Sequence, residues 1–326
     1  MKTVSRVVNG ERYVVADTRD RVVAAIRELG YSPNAAARTL SGRRSYLIGI
    51  FIDDPASSYG VGLHLGALDR CRERGFHLVL ESVDTLSPTA AQDLQAAIGS
   101  LRLEGVILPP PVCDHPGVLA LVEGLGVPYA RIAPDTDPAR SPNVQMDDRQ
   151  AAFDMTTHLL ALGHRRIGFV RGPRGHAASP RRLEGHRAAL AAAGAPTDEA
   201  LEAPGAFTFR SGVEAAERLL SLAEPPTAIF AANDDMALGV LSVAARRGVA
   251  VPDELSVAGF DDSPVSRVVW PQLTTIRQPN VELAAAAVDL VAGPDPLAAG
   301  EDDRSLAYTL LVRGSTGPAP GRRREP

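Results

Sequence analysis

TAIFAANDDMALGVLSVAARRGVAVPDELSVAGF (227–260) is the stretch on which the fold turns. TAIFAAN (227–233) reads as a strand that runs straight into a helix at 234–247, and LSVAGF (255–260) reads as the next strand. Strand, crossover helix and strand make a parallel unit. Moving toward the N-terminus, the alternation continues through helices at 210–222 and 180–193, the strand RIGFV (166–170) and a helix at 147–162. An earlier series holds the strand YLIGIFI (46–52), a helix at 59–74 ended by Gly75, the strand FHLVL (76–80), a helix at 88–101, the strand GVIL (105–108), a short helix near 116–124 and a strand near 128–132. On the C-terminal side lie LTTI (273–276), a helix at 279–292 and a last strand, AYTLLVR (307–313). Two such series predict an α/β protein of two similar lobes, each a parallel sheet covered by helices on both faces. Ligands of open α/β sheets bind beyond the carboxyl ends of the strands, so two facing lobes form a cleft there.

The totals fit this picture. The 326 residues are 45% apolar and 22% charged, as in ordinary globular proteins. No apolar run approaches the ~20 residues of a membrane span, and no charged-then-apolar leader opens the chain, so a cytoplasmic protein without a membrane partner is expected. Cys71 and Cys113 form no CxxC and read as two small core residues. The net charge of −5 hides an asymmetry: residues 1–44 carry nine Lys/Arg against four Asp/Glu, which leaves the remainder at −10. A basic end on an acidic body points to a nucleic-acid arm, with a solvated charged helix as the plainer alternative.

Other chemistries find little support. GVGLHLG (60–66) has the spacing GxGxxxG and begins eight residues after the strand end at Ile52, too far for a tight phosphate-binding turn. His158 and His164 are six apart, outside helical metal-ligand spacing, and no Ser stands in a GxSxG context. No enzyme activity, metal or cofactor is expected.

In the basic head, RDRVVAAIREL (19–29) places Val22, Val23, Ile26 and Leu29 on one helical face, with Asp17 or Thr18 as cap and Gly30 as stop. YSPNAAARTLSGRR (31–44) allows a helix of about two turns, Pro33 in its first turn and Gly42 as breaker. A helix that short is marginal alone in water and suits folding on a partner.

TVSRVVNG (3–10), ELGYSPNAAARTL (28–40), IGIFI (48–52), HLLALGHRRIGFV (158–170), RRLEGHRAAL (181–190), AANDDMALG (231–239), VPDELSVAGFDD (251–262), PQLTTIRQP (271–279) and LLVRGST (310–316) together resemble the lactose-repressor/galactose-repressor family of bacterial transcription regulators, in order and spacing, over about residues 3–316. The resemblance implies a partial all-α helix-turn-helix head at 1–32, a hinge helix and linker at 33–44, and two Rossmann-like lobes of periplasmic-binding-protein type I. The first lobe would take 45–145 and 277–300, and the second 146–276 and 301–316. The end of the chain, GPAPGRRREP (317–326), is rich in Pro, Gly and Arg with no apolar period and reads as a disordered tail. TVSRV matches the family's recognition helix, before which a helix and a turn normally stand. The expectation is that Met1 is an internal methionine and the protein extends upstream; the rival is a natural truncation that binds effector but not DNA.

By the same resemblance, Lys2 and Thr3 meet base edges, while Ser5, Arg6 and Asn9 hold phosphates; Thr, Ser and Asn at helix ends also serve as caps. Tyr31, Asn34, Ala37 and Leu40 complete the DNA contacts, Leu40 either as a minor-groove wedge or as a buried linker residue. On the effector side Arg182 would clamp ligand hydroxyls or a carboxylate, or form a surface salt bridge. Asn233 and Asp261, which follow strands, would pair with sugar hydroxyls or serve the turns there. Tyr59 and Phe207 offer ring faces, and Asp147 opens a helix either as cap or as ligand contact. The loops DDPASSYG (53–60) and GPRGHAASP (172–180), the latter with His176, depart from the family pattern, so effector identity does not carry over. The implied function is a sequence-specific transcriptional regulator, a repressor acting as a homodimer on a pseudo-palindromic double-stranded operator, controlled by a small-molecule effector, a carbohydrate. The alternatives are an effector-binding protein without specific DNA binding and an exported sugar-binding protein.

Overall fold

The computed structural model describes residues 2–8, 13–29, 44–293 and 303–321. The chain divides into two compact units, Met1–Tyr46 and Leu47–Pro326. In the first, α1 (Lys2–Val8) packs against α2 (Ala16–Glu28). The expected face of α2 is only partly realised: Val22, Val23 and Ile26 are half-buried, but Leu29 lies one residue beyond the helix and is 79% exposed. Asp17 and Thr18 are not caps, because the helix already begins at Ala16; Asp17 instead sits in the first turn, where a negative charge favours the helix dipole. The expected hinge helix and Gly30 lie outside the described residues.

The second unit holds two lobes. The N-terminal lobe is built on a six-stranded parallel sheet of β1 (Leu47–Ile52), β2 (His77–Ser82), β3 (Gly105–Leu108), β4 (Tyr129–Ile132), β5 (Asn143–Gln145) and β11 (Asp303–Ser305), in the order β11-β5-β4-β3-β1-β2. Helix α3 (Ser58–Arg74) packs on α10 (Asn280–Val291), and α4 (Ala90–Leu101) on α5 (Pro116–Leu125). The C-terminal lobe is a four-stranded parallel sheet, β7-β6-β8-β9, of β6 (Ile167–Val170), β7 (Glu202–Ala203), β8 (Ala228–Ala231) and β9 (Ser256–Ala258). Here α6 (Asp148–Ala161) pairs with α7 (Ala178–Ala192), and α8 (Phe209–Leu219) with α9 (Asp234–Arg246). The quoted stretch is therefore β8, α9 and β9, with Ile229 beside Val257 in parallel register. Central strands β3, β6 and β8 are buried at every position, as a sheet covered on both faces requires. β10 (Thr275–Arg277) and β12 (Thr309–Leu311) form an antiparallel pair.

Helix crossings are set by glycine. A Cβ at Gly66 would lie 2.2 Å from the Val281 carbonyl oxygen, and one at Gly185 would lie 2.0 Å from that of Arg149. Gly60, Gly62 and Gly66, the glycines of the phosphate-loop lookalike, all fall inside α3; Gly62 abuts Asn280, so the spacing serves packing against α10.

Two expected boundaries move. Residues 303–305, expected in the second lobe, form β11 and pair with β5 on the edge of the first, so the chain crosses between lobes at 306–308. The expected disordered tail is ordered through Gly321: Gly317 N–H donates to Ser256 Oγ (3.0 Å), Ala319 N–H donates to the Leu162 carbonyl (2.9 Å), and Ala319 is buried. The sequence signal was misleading because this segment is held by backbone bonds and by buried His164, not by an apolar period.

Candidate functional site

Two regions carry the residues singled out by sequence. In the head, Lys2, Thr3, Ser5 and Arg6 all stand on α1, and the Thr3 and Arg6 side chains are exposed. Val4 is 39% exposed and Val7 half-buried, so the helix also offers apolar surface. Asn9, Tyr31, Asn34, Ala37 and Leu40 lie outside the described residues.

The second region is the cleft between the lobes, at the carboxyl ends of the strands. Ser57 caps α3 by accepting from Gly60 N–H (3.0 Å), and Tyr59 follows in its first turn. Tyr59 shares the electrostatic surroundings of Asp148, Arg182 and Asp261 from the other lobe; burial, then Asp148, push its phenol above its ordinary range. Arg182 on α7 is 4% exposed. Its Nε donates to Asp148 Oδ1 (2.8 Å), its Nη1 to the Ala232 carbonyl (2.6 Å), and its guanidinium lies 3.6 Å from the Phe260 ring centre. Asp261 Oδ1 stands 4.0 Å from Arg182 Nη1, and Asp261 also accepts from Gln278 Nε2. The surface salt-bridge alternative for Arg182 is thus overturned by its burial.

Asn233 and Asp147 take their capping roles. Asn233 Oδ1 accepts from Met236 N–H (3.0 Å) at the start of α9, and its Nδ2 donates to the Phe207 carbonyl (3.0 Å). That bond holds Phe207 in the left-handed region (φ 57°), its ring 5.1 Å from His176 and 5.9 Å from the Arg182 guanidinium. Asp147 accepts from Gln150 N–H (2.8 Å) and is exposed. The inward carboxylate is its neighbour Asp148, which sequence reasoning missed. The signal was there: in a DD pair opening a helix, one acid caps and the next starts the buried face.

Sequence reasoning also missed Ser179, Asp114 and Phe260. Ser179 Oγ and His176 Nδ1 are buried without a hydrogen-bond partner. A Cβ at Gly172 would lie 2.2 Å from Ser179 Oγ and 2.4 Å from the Phe207 ring, so only glycine lets these two side chains close on the backbone here. Burial and then Arg182 push the His176 imidazole down to about 4. Burial pushes the Asp261 carboxyl well up, with Arg182 opposing. From the N-terminal lobe, Asp114 accepts from the Asp135 and Thr136 N–H groups (2.9 and 3.0 Å) and lies 3.7 Å from buried Arg131. That fixes the loop whose Pro134 carbonyl accepts from Arg181 Nη2 (2.7 Å), a direct bond from α7 across to the other lobe.

Behind the cleft wall, Asp262 (side chain 1% exposed) accepts from Arg267, Arg277 and Arg313. Burial raises its carboxyl, but the three guanidiniums outweigh this and hold it at about 2. The hub ties β10 and the segment after β12 to the Asp261 turn.

Residues 1–34 match the family model described as bacterial regulatory proteins, lacI family, and 156–316 match a periplasmic binding protein-like domain. Catabolite control protein A of Priestia megaterium is 35% identical over 295 residues, 89% of this chain and 87% of that protein. The solved complex of the transcriptional regulator CelR with cellobiose superposes with a TM-score of 0.76 at 34% identity, covering 96% of this chain and 95% of that one. The lac repressor dimer bound to operator and an anti-inducer gives a TM-score of 0.81 at 29% identity, covering 97% and 95%. The chain belongs to the lacI family of bacterial regulatory proteins, and its work is the regulation of transcription, not catalysis.

Proposed function

We propose that this regulator is a homodimeric repressor whose hold on operator DNA is set by a sugar bound between its lobes. The observation that carries the reading is the meeting of Tyr59 from one lobe with Arg182, Asp148 and Asp261 from the other, which gives a bound molecule hydrogen-bond partners on both sides. Such a ligand stabilises one lobe arrangement over others, and the coupling to DNA affinity is reciprocal. Cellobiose in the CelR complex and operator DNA in the lac repressor complex support a carbohydrate effector and a duplex partner. Thr3 and Arg6, exposed on α1, are the groups proposed to reach DNA from the described head, with Lys2 and Ser5 on the same helix. Lys2, Thr3, Ser5, Arg6, Asn9, Tyr31, Asn34, Ala37 and Leu40 are the proposed DNA-contacting set, and Tyr59, Arg182, Phe207 and Asp261 line the effector cleft, with Asn233 and Asp147 supporting it as caps.

A self-complementary surface suits a dimer on a two-fold site. Val268 and Trp270 are 80% and 89% exposed and close in the chain, an apolar patch that a second copy would cover. Acting on operator DNA places the protein in the bacterial cytoplasm; among the described residues no helix is long and apolar enough to cross a membrane.

The test is selection of bound sequences from a random duplex library, followed by binding isotherms with and without a panel of neutral sugars, with sedimentation to read the oligomer. Enrichment of a two-fold-symmetric site by a dimer, with at least one sugar shifting affinity, is the expected result. A monomer that enriches nothing, or sugars that bind without changing DNA affinity, would defeat the reading.

A further inference from the structure

The charges in the cleft are matched in pairs. Tyr59 on one side and His176 on the other both sense Arg182 and Asp148, with Asp261 adding to the surroundings of Tyr59 and Asp114 to those of His176. Arg182 is the cation of that set, and it is taken up by Asp148 at 2.8 Å and by the Ala232 carbonyl at 2.6 Å. Asp114 is compensated by Arg131 at 3.7 Å and by two backbone N–H groups. Asp261 faces Arg182 at 4.0 Å and accepts from Gln278, and His176, pushed down to about 4, is neutral near pH 7. Asp235 of α9 is pushed up by burial, with Asp54 of the other lobe adding to it.

What the wall leaves free is neutral. Ser179 is 6% exposed and its Oγ has no partner, and the same holds for the buried His176 Nδ1. Both lie around the Phe207 ring: His176 edge-on at 5.1 Å, and Ser179 beside Gly172, whose lack of a side chain lets the Ser179 hydroxyl and the ring close in together. Buried polar atoms without partners are costly and rare, so a pair of them around Phe207, close to Arg182 and Asp148, marks where a ligand hydrogen-bonds. A sugar hydroxyl donates and accepts at once, and an aromatic face suits the C–H side of a sugar ring.

We infer that the cleft selects an uncharged polyhydroxylated effector, read by His176 Nδ1 and Ser179 Oγ, and rejects the phosphate esters and uronic acids of the same sugars. This rests on the reading of the cleft as the effector site. An anionic ligand would have to pull Arg182 from Asp148 and leave that carboxylate buried and unpaired, a large penalty.

The experiment is a thermal-shift and calorimetric screen of the full chain with glucose, galactose, xylose and cellobiose, and with glucose 6-phosphate, galactose 6-phosphate, glucuronate and galacturonate. At least one neutral sugar should bind, and its charged counterparts should bind more than about 100-fold weaker. Ser179→Ala and His176→Phe should each weaken the neutral sugar about tenfold while leaving the sugar-free melting temperature unchanged or higher, because neither atom has a partner to lose. A merely structural role would lower that temperature instead. Tighter binding of the phosphates or acids overturns this inference alone, as does full affinity in both variants. A panel in which nothing binds overturns it together with the reading beneath it.

Discussion

The head and the cleft assign function to opposite kinds of side chain. On α1 the side chains of Thr3 and Arg6 are exposed to solvent. In the cleft, Arg182, Asp148 and Asp261 are nearly or fully enclosed, and each is held by another protein group before any ligand arrives. A surface reader is separable from the fold, whereas a buried one is part of it. Mutations should therefore damage recognition alone in the head, and recognition together with stability in the cleft.

The strongest way to break this comparison is Arg182→Ala. It leaves Asp148 buried without its partner and the Ala232 carbonyl without its donor. We expect a loss of about 3–5 kcal/mol in urea unfolding. The double variant Arg182→Met/Asp148→Leu should recover much of it, because the uncompensated charge is gone, while sugar binding stays lost. If Arg182→Ala unfolds at the wild-type midpoint, the cleft is as separable as the head and the contrast fails.

Next in size is Asp262→Asn. Three arginines lose their shared carboxylate, but Arg267 and Arg277 are half-exposed and can turn to water, so about 2–3 kcal/mol is expected. The hub touches no proposed ligand atom. Its loss should lower the melting temperature, and sugar affinity measured well below that temperature should fall less than in Arg182→Ala. An equal loss of affinity would mean that the Asp261 turn is positioned through Asp262.

This distinction explains what the sequence could and could not reveal. The βαβ stretch at 227–260 was legible because β8 and β9 are continuous buried runs and α9 is long. The short strands β5, β7 and β11 were not, because two or three residues carry no period; they exist only because a neighbouring strand offers a ladder. Tyr59, Arg182 and Asp261, proposed as effector contacts, are singled out by the sequence itself, and the structure brings them into one electrostatic neighbourhood. Asp114 and Ser179 were not, since nothing local distinguishes an acid that caps a distant loop or a serine left unpaired by a glycine seven residues away. Asp147 and Asp148 show the limit most sharply: adjacent identical residues, one exposed and one buried, separated only by helix phase.

His186 sharpens the comparison through pH. It stacks on Phe169 at 4.8 Å and hydrogen-bonds with Thr156, and burial, with Arg187 adding to it, pushes its imidazole down to about 3. The unfolded chain binds that proton near the ordinary 6.5, so between about pH 6.5 and 3 the unfolded state holds more protons. Stability from neutral His186 is complete above the upper value and drains as pH falls, by about 1.4 kcal/mol per unit within the window. His186→Phe removes that slope and adds a constant cost for the stranded Thr156 hydroxyl. The stability difference between variant and wild type should move steadily in the variant's favour as the solution is acidified, and a difference independent of pH would show that His186 is not buried neutral.

The smallest expected change in stability belongs to the head, where the change in function is nevertheless large. Arg6→Ala removes an exposed side chain from α1, and surface charges of this kind contribute under about 1 kcal/mol, so the unfolding midpoint should barely move. If Arg6 holds a phosphate, its loss weakens binding on every duplex alike, and the slope of log affinity against log salt should become shallower by about 0.9. Thr3→Ala, also exposed, makes the matching control. If Thr3 meets a base edge, its loss should relax preference at one position and leave the salt slope alone. The pair thus divides one helix into a residue that places the protein and a residue that reads the sequence. An unchanged salt slope in Arg6→Ala would remove that arginine from the DNA contacts, and a shallower slope in Thr3→Ala would show that the two roles are not divided along the helix in this way.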